Sequence, residues 1–231
     1  MSKHVIITGA SRGIGFETAK YLAKRDCFVT VIARTEEKLN QLQAISPDKI
    51  LPLQLDITEK NSPEIIQKHL NQLQLKIDGL IHNAGLLINK PFEKQTDEDW
   101  NRQMDVNILG PARLTRDLLH HFNEDSHIVN ISTMGGFQGS SKFPGLSAYS
   151  TSKGALSILT ECLAVELAGR NISVNCLCLG AVQTEMLEKA FPGMEVPVKP
   201  AQMGEFVGNF VLKYHNFFNG KILPVSLHDP S

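Results

Sequence analysis

Tyr149 and Lys153 stand four residues apart near the start of a long helical pattern, AYSTSKGALSILTECLAVEL (148–167). That spacing sets both side chains on one helix face, a turn apart. A free phenol has a pKa of about 10 and exchanges its proton slowly near neutrality. A neighbouring ammonium favours the phenolate and draws the pKa toward the working range, so the pair can act as a general acid–base. An isolated Tyr/Lys pair reads as a solvated helix face. Here the segment follows the Gly/Ser-rich stretch 134–146, and most of the rest of the helix is apolar. The pair is therefore expected at the mouth of a fold.

A second chemical feature lies near the amino end. A strand-like run, His4–Thr8, enters Thr8-Gly9-Ala10-Ser11-Arg12-Gly13-Ile14-Gly15, and a helical pattern over about 13–25 follows. Glycines there permit a tight turn, let backbone approach a pyrophosphate and allow close helix–sheet packing, while the new helix directs free N–H groups at phosphate. An ordinary β–α turn is the bland reading; the strand–turn–helix context shifts it to nucleotide binding. The next strand ends Val31-Ile32-Ala33-Arg34-Thr35, with no acid before Arg34 to take a ribose 2′-hydroxyl. Arg12 and Arg34 can instead clamp a 2′-phosphate, which favours NADP(H). Glu36 and Glu37 lie close enough to keep NAD(H) open, and solvated surface arginines are the plain alternative.

The elements that must position these groups alternate. Strands are predicted at 4–8, 28–33, 50–55, 79–82, 127–132, 172–179 and 221–225, and helices at about 13–25, 35–45, 61–75, 97–123, 147–169 and 201–214. Continuously apolar strands between helices call for an α/β fold, a Rossmann-type doubly wound parallel sheet of about seven strands covered on both faces. The 231 residues suit one domain, 1–231, with substrate loops at about 134–146 and 185–200. A net charge of -1, from 23 basic and 24 acidic residues, gives no general pull toward nucleic acid or anionic lipid. No run reaches the roughly 18 apolar residues of a membrane span. The amino terminus lacks the pattern of a secretory signal, which points to the cytoplasm. Cys27, Cys162, Cys176 and Cys178 are expected as buried reduced thiols. With no HxxxH or HExxH spacing, no metal is called for.

Taken together, these motifs resemble the short-chain dehydrogenase/reductase family over nearly the whole chain. Thr8–Gly15 is similar to its TGxxxGxG signature, His82-Asn83-Ala84-Gly85 to its NNAG element, Tyr149-Ser-Thr-Ser-Lys153 to YxxxK, and 175–184 to N-x-x-x-P-G-x-x-x-T. The resemblance implies that Gly9, Ser11, Arg12, Gly13, Ile14, Gly15, Arg34, Asn83, Ala84 and Gly85 hold the cofactor. It sets Asp56 and Ile57 beside the adenine, and Gly180, Val182 and Thr184 at the nicotinamide end. Tyr149 then exchanges the proton, Lys153 also holds the ribose, and Asn107 supports a water relay behind the lysine. Thr133 aligns with the family's catalytic serine and can donate the same hydrogen bond. Adjacent Ser132 points to the opposite face, and Ser140, Ser141 and Ser147 read as hydrophilic loop. Departures are Leu179 for proline, His82 for asparagine and a carboxyl end without Gly-Gly.

The reading is an oxidoreductase interconverting a small or medium, largely apolar carbonyl and a secondary alcohol with NADP(H), with an acyl-carrier thioester or a steroid left open as substrate; the resemblance implies a homodimer or homotetramer through the helices near 97–123 and 147–169. A catalytically impaired nucleotide-binding regulatory or scaffold protein is the alternative, and an epimerase or dehydratase with tightly held cofactor a third.

Overall fold

The computed structural model describes residues 2–227. Strands β1 (His4–Thr8), β2 (Phe28–Ala33), β3 (Ile50–Gln54), β4 (Ile77–His82), β5 (Phe122–Thr133), β6 (Ile172–Leu179) and β7 (Ile222–Val225) form one sheet, ordered β3-β2-β1-β4-β5-β6-β7. Every pairing is parallel. The chain steps one way from β1 to β3 and the other way from β1 through β4 to β7. The topological switch, where such sheets open a crevice for ligands, therefore lies beside the carboxyl end of β1.

The two-residue period of the strands divides the core. Val5, Ile7, Val29, Val31, Val129 and Leu177 face one side, packed by α1 (Gly13–Ala23), α2 (Glu36–Gln43) and α8 (Pro200–Lys213). Ile6, Ile32, Leu80, Ile128 and Val174 face the other, packed by α3 (Ser62–Leu73), α5 (Gly110–Leu118) and α6 (Ser147–Glu166). Each fully buried Ile, Leu or Val contributes about 1.5–3 kcal/mol. That double covering is why the strands read as unbroken apolar runs.

Four sequence expectations change. The helix expected over 97–123 is broken into α4 (Asp97–Met104), a π turn (Asp105–Leu109), α5 and a 3-10 turn (Leu119–His121). Pro111 has no N–H, and in a regular helix its ring would strike the carbonyl four residues back, that of Asn107. The chain widens instead, and Gly110 N–H donates to Asp105 O, five residues back. At its other end α4 is fixed by a capping box between Thr96 and Asp99. β5 starts at Phe122, five residues ahead of expectation, through an irregular stretch where the register to β4 shifts. The segment expected to be all loop carries a short helix, α7 (Glu185–Ala190), capped by Thr184 Oγ1 accepting from Leu187 N–H. Of the cysteines, Cys162 is exposed on α6 while the other three are buried. Among the described residues no helix is long and apolar enough to cross a membrane.

Candidate active site

The glycine loop after β1 is tied to both neighbouring strand ends. Gly9 N–H and Ala10 N–H donate to Ile32 O of β2. On the other side, Thr8 Oγ1 accepts from the Asn83 and Ala84 amides at 3.2 and 3.1 Å, and Asn83 Nδ2 donates to Thr8 O and Gly9 O. Gly9 has φ 70°, and a β-carbon there would lie 2.6 Å from Ala84 Cα. Gly15 is buried, and a β-carbon on it would meet Asn83 Nδ2 at 2.4 Å. A side chain at either position would fill the cradle, so the loop fits close backbone approach to a phosphate at the start of α1. Ser11 and Gly13 are partly exposed, and Ile14 leans on the core beside α1. A methyl on Gly13 would meet Thr184 Cγ2 at 3.4 Å, which brings the chain after β6 against this loop.

Both arginines named from the sequence are exposed at this edge, and both already face a carboxylate. Arg34 Nη1 lies 3.7 Å from Asp56 Oδ2, and Arg12 Nη1 lies 3.3 Å from Glu185 Oε2. Asp56 also makes a local turn, its Oδ1 accepting from Thr58 N–H and Oγ–H. Ile57 and Val182 are buried in the two halves of the core. Gly180 N–H donates to Val225 O of β7.

One hydrogen-bonded chain joins the helices around Tyr149 and Lys153. Asn107, fully buried in the π turn, clamps the strand extension after β4: Oδ1 accepts from Leu86 N–H, and Nδ2 donates to Leu86 O. The same Nδ2 donates to Ser152 Oγ at 2.9 Å, and Ser152 Oγ donates to Tyr149 O. Gly85 sits between the pieces, for a β-carbon there would be 3.5 Å from Lys153 Nζ and 3.6 Å from Asn107 Oδ1. Lys153 is buried and donates to Ile131 O at 2.8 Å. Burial lowers its pKa to about 8, with the Cys176 and Cys178 sulfurs pulling the other way. Most of the side chain's ammonium therefore survives at neutral pH. The Tyr149 surface is only partly covered, yet the protein around it pushes the phenol up to about 12. Its hydroxyl makes no hydrogen bond to any described residue.

Thr133 ends β5 and accepts from Gly135 N–H at the start of a 3-10 turn, Met134–Gly136, that abuts the first turns of α6. Ser132 points the other way, donating to Lys153 O. Ser140 folds back onto Met134 O and Phe137 O in its own loop, and Ser147, at the start of α6, donates to Gln95 Oε1 of the segment before α4. The 134–146 loop meets the segment after β6 through Phe143 and Phe191, whose rings stand edge-on 6.2 Å apart. Ser152, Thr8 and Glu185 are the polar groups that sequence reasoning missed. Ser152 lies at i+3 from Tyr149, so the helical period carried its signal; the Thr8 and Glu185 contacts are long-range.

Known proteins resemble this chain over most of its length. The family model described as short chain dehydrogenase matches residues 3–195. The 3-oxoacyl-[acyl-carrier-protein] reductase FabG of Thermotoga maritima is 31% identical over 192 residues, covering 81% of this chain and 77% of the relative. A Brucella melitensis 3-ketoacyl-(acyl-carrier-protein) reductase complexed with NADH superposes with a TM-score of 0.88 at 27% identity, covering 97% of this chain and 96% of the other. The structure of ElxO with NADP bound gives 0.85 at 28% identity, covering 98% of both chains. The chain belongs to the short-chain dehydrogenase/reductase family of NAD(P)(H)-binding oxidoreductases.

Proposed function

We propose that the protein is an NADP(H)-dependent oxidoreductase that interconverts a carbonyl and a secondary alcohol, with Tyr149 as the acid–base. The observation that carries this reading is the continuous chain from the glycine loop to the acid–base pair: Thr8 to Asn83, Gly85 against Lys153, and Asn107 through Ser152 to the Tyr149 backbone. A bound nicotinamide cofactor supplies or receives the hydride. Gly9, Ser11, Gly13, Ile14 and Gly15 form the phosphate cradle, with Asn83, Ala84 and Gly85 along its side. Arg12 and Arg34 take the 2′-phosphate, Asp56 and Ile57 flank the adenine, and Gly180, Val182 and Thr184 border the nicotinamide end.

In the reductive direction Tyr149 gives its hydroxyl proton to the carbonyl oxygen as the carbon is reduced. Thr133 donates a hydrogen bond to the same oxygen, and its methyl narrows the site. A phenol held up at about 12 keeps its proton at neutral pH, which suits an acid better than a base. The Lys153 ammonium favours the phenolate left after transfer and holds the ribose, while Asn107 fixes the backbone around it and supports proton return through water.

Phe143 and Phe191 at the meeting of the two loops favour a small to medium apolar substrate. Exposed Ile158 and Val165 on α6, with Leu109 in the adjoining π turn, favour a homodimer or homotetramer through these helices. The test is NADPH oxidation at 340 nm against a panel of carbonyl compounds, with Tyr149→Phe as control. Turnover that falls by about 100-fold or more in the variant supports the reading. Cofactor binding with no turnover of any carbonyl would favour a regulatory or scaffold protein of the same fold.

A further inference from the structure

Arg12 belongs to the glycine loop, and the carboxylate it meets belongs to α7, 173 residues away. Contacts tie this short helix and its ends to loops at the carboxyl end of the sheet. Glu185 pairs with Arg12 at 3.3 Å; Asn89 Nδ2 donates to Ala190 O at 3.0 Å; and Phe191, just beyond the helix, packs edge-on against Phe143. Thr184, the helix cap, touches the loop at Gly13.

We infer that Glu185 is a specificity-determining residue for the 2′ group of the cofactor, competing with a 2′-phosphate for Arg12. This rests on Arg12 being part of the phosphate clamp proposed above. A dinucleotide with a 2′-phosphate has to take the guanidinium from Glu185, and it leaves a carboxylate near its own negative charge. A dinucleotide with a 2′-hydroxyl leaves the ion pair standing. Binding of the phosphorylated cofactor therefore removes one of the ties on α7, and binding of the other does not. Arg12 and Glu185 are 51% and 61% exposed, so solvent screens the pair. Its loss shifts an equilibrium by no more than about five-fold. Glu185 thus trims the preference set by Arg12 and Arg34 and does not reverse it.

The experiment is titration of the wild-type protein and Glu185→Gln with NADPH and with NADH, followed by nicotinamide fluorescence. It is paired with limited trypsin digestion at exposed Lys189 on α7. The expected result is NADPH binding about two- to five-fold tighter in the variant, with NADH affinity unchanged. NADPH, and not NADH, speeds cleavage at Lys189 in the wild type, whereas the variant is cleaved quickly without cofactor. If Glu185→Gln leaves NADPH affinity unchanged, weakens it, or tightens both cofactors equally, the inference is overturned while the proposed function stands. A wild-type protein that binds neither dinucleotide defeats the proposed function and this inference together. One that binds NADH alone defeats the 2′-phosphate clamp.

Discussion

Lowering the pH from about 7.5 to about 5.5 is expected to remove about 4 kcal/mol of folding stability through three buried histidines. His4, His82 and His127 are each no more than 1% exposed, and burial lowers their pKa values from 6.5 to about 4, 3 and 3. Burial keeps the ring neutral, and at His127 one hydrogen bond adds to it. His127 Nδ1–H donates to Val211 O, which leaves Nε2 to accept from Asn175 Nδ2. A proton on Nε2 would set two donors against each other. His4 sits between Lys76 O and the Thr30 hydroxyl, and burial keeps it neutral. The sign follows from which state binds protons. A folded pKa below the unfolded one means stability is fully present above about pH 6.5. It drains away as pH falls, because the unfolded chain takes up protons that the folded chain refuses. For each histidine the loss over those two pH units is about 1.4 kcal/mol. Against a total of about 5–15 kcal/mol for a typical domain, the sum is large. His69 and His215, also lowered by burial, act in the same direction. Urea unfolding followed by far-ultraviolet circular dichroism at the two pH values measures the loss. His127→Gln is expected to destabilise the protein at both pH values and to reduce the pH-dependent part by about a third. A wild-type difference under about 1 kcal/mol, or an unchanged pH slope in the variant, would refute the reasoning.

Three further outcomes follow from the site. Cofactor affinity is expected to fall as pH rises through about 8, where the buried Lys153 loses its charge; a titration that is flat from about pH 7 to 9.5 would contradict that placement. Asn107→Ala strands the Leu86 amide and removes the donor to Ser152, and should lower stability by about 2–3 kcal/mol, read as a lower urea midpoint at unchanged slope. Gly9→Ala puts a β-carbon against Ala84 Cα at a positive φ. It is expected to cost about 1–3 kcal/mol and to abolish detectable dinucleotide binding by isothermal calorimetry, while Gly169→Ala, in open space and without a positive φ, leaves binding intact.

The sheet was legible because its strands are short apolar runs bounded by polar or glycine-rich turns; β1, β2 and β6 have the expected limits. The start of β5 is invisible in the sequence because Phe122–Ser126 (FNEDS) carries no apolar period. Its pairing to β4 is irregular there, with Asp125 at φ 57°. The six residues of α7 are too few for periodicity to show, and what announces them is a single capping threonine. Tyr149 and Lys153 stood out through a local i, i+4 relation. The Arg12 and Arg34 ion pairs could not, for they join residues brought together only by the sheet order. A sequence reveals which side chains a local element aligns, whereas pairings across crossovers need the topology first.

The π turn at Asp105–Leu109 amounts to one surplus residue within an otherwise ordinary helix. Excising one residue there, Ile108 for instance, together with replacing Pro111, whose ring a regular helix does not admit, would let the backbone close into a regular spiral, and Asn107 would swing by roughly 100° away from Leu86 and Ser152. The site's innermost amide is therefore a matter of residue count as much as residue type. A lineage could lose it by a single codon deletion accompanied by a change at Pro111, with Asn107 itself unchanged.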